Sequence, residues 1–132
     1  MSGSEWLARL TAIEGSDGVD PEWFSGLAGA DLQSLHIDEH GRSLTTAFTA
    51  VTSPDDGAAE EGHDAVEFFV VFSKTADLVI RGWSHEATHS YVLDDADRGR
   101  RSVTIKGEGS VVTFTCEGLA VERVRTFRAG PL

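Results

Sequence analysis

The sequence predicts a mainly β domain, α+β by element count: about eight strands in an antiparallel β-sandwich or strongly curved sheet, with one or two short N-terminal helices. Three observations predict it. Runs in which apolar and polar residues alternate, rich in Val, Thr and Phe, recur from Leu35 to Phe127. The links between most of these runs are short, and short links cannot make the crossovers that parallel strands need. Helical spacing of apolar residues is confined to the stretch before Asp31.

Taken in order, residues 4–14 (SEWLARLTAIE) place Trp6, Leu7, Leu10 and Ile13 at helical spacing behind a capping Ser4. Asp20-Pro21 then sets a capping aspartate before a proline at the first helical position, and Gly26 and Gly29 end that turn early. Leu35 and Ile37, the turn Asp38 to Gly41, and SLTTAFTAV (Ser43 to Val51) read as a hairpin. A long acidic loop, Ser53 to Asp64, follows. In the next run Val66, Phe68, Val70 and Phe72 share one face and Phe69 and Val71 the other, which predicts a central strand covered on both sides. Leu78-Val79-Ile80, ending at Gly82-Trp83, and THSYVL (Thr88 to Leu93) are two further strands around the segment Ser84 to Ala87. After a charged turn, Asp94 to Arg101, SVTIKGEGSVVTFTC is two β-runs joined by Gly107-Glu108-Gly109. In Leu119 to Phe127 the spacing of Val121, Val124 and Phe127 fits strand or helix, and the β surroundings favour strand.

With 132 residues, the chain is expected to form one domain spanning residues 1–132 around one core. Hydrophobic residues make up 40% and charged residues 25%, a globular balance that argues against disorder. The longest apolar run, Phe68 to Phe72, is far short of the roughly 20 residues of a membrane helix. The N-terminus lacks a basic segment followed by an apolar one, so the reading is a soluble, cytoplasmic protein. Cys116, the lone cysteine, excludes an intrachain disulfide and a cysteine zinc cluster; in VVTFTC it reads as a small buried hydrophobe.

Charge is placed unevenly. The net value is −11, yet residues 1–67 carry fourteen Asp/Glu against Arg9 and Arg42, a balance of −12, while residues 68–132 carry eight acids against nine bases, or +1. Such a negative field disfavours nucleic acid and attracts a basic protein.

Motifs for catalysis are few. His85-Glu86-Ala87-Thr88-His89 spells the H-E-x-x-H pattern of zinc hydrolases, which needs both histidines on one helical turn. Along a strand the same residues stand about 13 Å apart, too far for one zinc. The flanking residues read as strand, no histidine follows His89, and Glu108 sits in a Gly-Glu-Gly turn, so His85, Glu86 and His89 are expected at a strand edge, partly exposed, with His89 and Tyr91 on one face. Gly107-Glu108-Gly109 lacks the third glycine of a dinucleotide fingerprint, and neither a nucleophile elbow nor a phosphate-binding lysine loop is present. Trp6 and Trp23 fit helix faces packed on a sheet; Trp83, closing a strand before a loop, is the exposed-aromatic candidate. Asp55, Asp56, Glu60, Glu61 and Asp64, and the cluster Asp94, Asp95 and Asp97, lack the ligand spacing of a calcium loop and read as a solvated or protein-docking rim.

Three stretches carry a family resemblance: Ser34 to Thr45 (SLHIDEHGRSLT), Val66 to Phe72 with Leu78 to Trp83, and the closing pattern from Ile105 to Val124. Over roughly residues 20–128 the chain resembles the immunity protein 50 family of bacterial polymorphic-toxin systems, with Gly82-Trp83 after a strand the most distinctive element. The HEATH segment and the acidic insertion at 53–64 depart from that pattern. The resemblance implies a non-enzymatic protein, without cofactor or metal, that neutralises a cognate toxin by covering its active or essential surface. Combined with the charge, it names a basic protein toxin as partner, met through Asp55, Asp56, Glu60, Glu61, Asp64 and Trp83. The alternative is a small-molecule or carbohydrate-binding β module with Trp83 and Tyr91 lining a cleft; a remote alternative is the zinc hydrolase.

Overall fold

The computed structural model describes residues 9–10, 12–15, 19–40, 42–51, 65–82 and 89–128. Arg9, Leu10, Ala12 and Ile13 are helical, with Leu10 fully buried. Helix α1 (Pro21–Ser25) starts as its sequence dictates: the Asp20 carboxylate accepts the Trp23 amide at 2.7 Å and Pro21 needs no partner for its nitrogen. A 3₁₀ turn (Gly26–Gly29) follows. This compact unit buries Trp23, Phe24 and Leu27 almost completely, and Arg9 pairs with Asp20 behind it.

Among the described residues eight antiparallel strands follow: β1 (Asp31–Asp38), β2 (Ser43–Val51), β3 (Ala65–Ser73), β4 (Ala76–Arg81), β5 (Ser90–Asp95), β6 (Arg101–Gly107), β7 (Ser110–Cys116) and β8 (Gly118–Phe127). They form two four-stranded sheets, ordered β1-β2-β3-β8 and β4-β7-β6-β5. The sandwich expected from the sequence is therefore present. Its hinge is a two-stranded ribbon: β3 pairs with β8 up to Ser73 opposite Gly118, and the ribbon resumes in the second sheet with Ala76 opposite Thr115. At this corner the Glu117 amide donates to the Ser73 carbonyl at 3.0 Å, and Lys74 takes a left-handed conformation (φ 50°). The strand pair at residues 65–81 thus belongs to both layers.

Inward residues of both sheets make one core. Phe48 stacks on Phe68 at 5.3 Å and meets Tyr91 of the other sheet at 5.7 Å, while Phe72 meets Phe114 at 4.9 Å. Phe24 of α1 bridges Phe72 and Tyr91 edge-on, at 6.2 and 5.9 Å. The helix therefore packs beside β5 and closes that side of the sandwich. Cys116 is fully buried, as its alternating run predicts, and burial pushes its thiol pKa up.

One expectation needs correction. β3 is central, paired with β2 and β8, but it is fully covered on one face only. Phe69 and Val71 are half-buried on the outer face, where the Arg123 guanidinium lies 5.6 Å from the Phe69 ring. Shielding by neighbouring side chains within one sheet replaces the second layer that the unbroken apolar run suggests. No helix among the described residues is long and apolar enough to cross a membrane.

Candidate functional site

The two sheets run in the same sense away from the corner, because Phe72 meets Phe114 near it and Phe48 meets Tyr91 further out. The end opposite the corner is consequently shared. There Val51 stands opposite Ala65 and Ala65 opposite Phe127; in the other sheet Arg81 stands opposite Val111, Gly107 opposite Ser110, and Ser90 opposite Lys106. The chain leaves the scaffold at Val51 and at Gly82 and rejoins it at Ala65 and at His89, all at this end. Asp31, the exposed first residue of β1, opens onto it too.

The predicted partner-binding residues Asp55, Asp56, Glu60, Glu61, Asp64 and Trp83 lie outside the described residues, as do His85 and Glu86. What the described strands establish is that both stretches are anchored to one end of the sandwich. Gly82 fixes one anchor: its φ is +66°, and a Cβ there would fall 2.2 Å from the Gly109 carbonyl oxygen, so the close approach of β4 to the β6–β7 turn requires glycine.

Beneath this end lies a buried polar row. His89 is 7% exposed, which corrects the expectation that it is partly exposed; Tyr91, 2% exposed, shares its face as expected. Their rings stand 6.3 Å apart. The cause is that β5 presents Tyr91 and Leu93, in phase with His89, to the core under Phe24 and Phe48 instead of to solvent. Ser110 of β7, 7% exposed, completes the row. A Cβ at Gly107, between them, would come within 2.9 Å of the Ser110 hydroxyl oxygen and 3.2 Å of His89 Nε2, so Gly107 makes the space in which both sit. Ser110 is the residue that sequence reasoning missed. Its signal is its phase with Val112, Phe114 and Cys116, all inward.

Burial lowers the His89 pKa, favouring the neutral imidazole, and raises that of Tyr91, with the Asp31 carboxylate adding to the rise. The Tyr91 hydroxyl and Ser110 Oγ have no hydrogen-bond partner among the described residues. The Tyr91 ring itself lies in the core, between Phe24 and Phe48. Of the zinc pattern only His89 lies among the described residues, and strand β5 follows it directly. Among the described residues no group of three His, Cys, Asp or Glu side chains is placed to hold a metal ion. Asp94, Asp95 and Asp97 lie at the corner end, remote from the acidic loop's anchors, and Trp23 is core, as its helix position predicts.

No family model, curated protein or solved structure matches the chain.

Proposed function

We propose that the chain is an immunity protein: a non-enzymatic inhibitor that binds a cognate, basic bacterial toxin and covers its active or essential surface. The observation that carries this reading is the convergence of four chain positions, Val51, Ala65, Gly82 and His89, on one end of the scaffold. The sequence between the first two holds five of the acids that make residues 1–67 so negative, and that between the last two begins with Trp83. An acidic rim speeds capture of a basic partner, and an aromatic beside it supplies the desolvated contact that slows release. A sandwich closed by α1 and by its ribbon corner gives such a rim a rigid base.

The test is co-expression with the product of the neighbouring reading frame, followed by stopped-flow association at rising salt. A stable complex whose association rate falls with ionic strength is the expected result. Absence of a complex with a toxin-bearing neighbour would remove the immunity reading, and a salt-independent rate would remove electrostatic capture. Neutralising Asp55, Asp56, Glu60 and Glu61 together is expected to slow association while leaving the melting profile intact.

A further inference from the structure

β8 carries two arginines, Arg123 and Arg125, in a strand whose inner face joins the core. Val121 stands opposite the buried Val70, and cross-strand partners share a face. Strict alternation from there would set Arg123 against Phe68 and Arg125 against Val66, both buried on the inner face. The bulge prevents this. Glu122 opposes Phe69 and Arg125 opposes Glu67, so Arg123 and Val124 share the single position of Phe68. With Arg123 in the left-handed region (φ 56°), its guanidinium lies over the Phe69 ring, Val124 packs against the core, and Arg125 reaches the Glu67 carboxylate at 2.8 Å. A non-glycine residue keeps such a backbone only where its surroundings impose it.

The N-terminal segment grips both sides of this bulge. Before it, Glu14 bridges to Val121 and the Gly15 amide donates to the Val121 carbonyl at 2.7 Å; at its far side the Glu14 carboxylate accepts the Val124 amide at 2.8 Å. The segment is itself fixed from behind, because Leu10 is fully buried and Arg9 pairs with Asp20. β8 is the last strand of its sheet, so among the described residues its outer side meets no further strand, only this segment. We propose that Glu14 and Gly15 act as a register clamp on β8: they hold Val121 and Val124 at the separation the bulge requires, and their release loosens residues 124–127 as a unit within a folded sandwich. The clamp thereby sets the strand beside the open end, since Phe127 stands opposite Ala65, where the chain rejoins the scaffold. It does not depend on the toxin-binding proposal.

Amide hydrogen exchange, read residue by residue by NMR, tests this with E14A, E14Q and a chain lacking Arg123. E14A is expected to speed exchange at residues 124–127 and at their β3 partners, residues 65–67, by about three- to tenfold, with Val112 and Phe114 of the other sheet unchanged. E14Q keeps an acceptor oxygen and is expected to recover most of the protection. Removing Arg123 restores strict alternation with Val124 inward and Arg125 outward, so in that background E14A is expected to leave residues 125–127 as they were. Should the shortened chain fail to fold, E14A and E14Q decide between them. Unchanged exchange in E14A overturns the proposal, and so does a rise at Val124 alone, which is a lost acceptor without a clamp. An equal rise in every strand, E14Q no better protected than E14A, or loosening of 125–127 by E14A in a folded chain without Arg123 overturns it as well.

Discussion

Gly82 and Gly99 both hold a left-handed backbone, with φ of +66° and +73°, and they separate two costs. Around Gly99 a Cβ would find nothing within 4 Å, whereas at Gly82 it would strike the Gly109 carbonyl. Gly99→Ala is therefore expected to cost about 1–2 kcal/mol from backbone strain alone, and Gly82→Ala about 3 kcal/mol once overpacking is added. Urea denaturation of the two variants checks this; equal losses would mean that the β6–β7 turn shifts freely. His89 makes a prediction in pH. Its folded pKa is lowered by burial, so the unfolded chain binds the proton more tightly. Its contribution to stability is full above the unfolded value, near about 6.5, and is lost as pH falls through the lower folded value. His89→Gln should flatten the decline of stability between neutral pH and the onset of carboxylate protonation, as measured by denaturation midpoints. An unchanged slope would show that the decline comes from other groups.

At the scale of elements, α1 contributes far more than its five residues suggest. Phe24 alone touches rings from both sheets, Phe72 and Tyr91, and is fully buried. Phe24→Ala is expected to cost about 3–5 kcal/mol, against less than about 0.5 kcal/mol for Ile37→Ala on the exposed end of β1; thermal melts of the pair decide it. Local pattern also meets its limit at this scale. In β8, Val121 and Val124 are three apart and mimic a helical face, yet both face the core. The reason is a bulge: Phe69 opposes Glu122 and Glu67 opposes Arg125, with Arg123 in a left-handed conformation, so the alternation is reset between them. β1 does the same between Leu32 and Leu35, where the register shifts, and this hid the first half of that strand. Glu14 then satisfies the Val124 amide at the β8 bulge, a contact across 110 positions that no local pattern contains.

For the whole molecule, the charge of −11 is a property of composition, but its effect depends on where the strands anchor it. Replacing Asp55, Asp56, Glu60 and Glu61 removes four of the negative charges that repel one another in this acidic chain, so at low ionic strength that variant is expected to melt no lower than the parent chain. The same substitutions that slow toxin capture should thus leave the fold unharmed. By itself the sequence determined the strand-rich class, the antiparallel pairing, the capped turn at Asp20-Pro21 and the inward phase of residues such as Phe48, Phe68, Val112 and Cys116, because these follow from local alternation and turn chemistry. Only the tertiary structure decided that one ribbon folds across both sheets, that His89 and Tyr91 are buried, and that Val51, Ala65, Gly82 and His89 come to one end of the sandwich. Each of these depends on which distant strands become neighbours, and that choice is made by packing the two inner faces together rather than by any short run of residues.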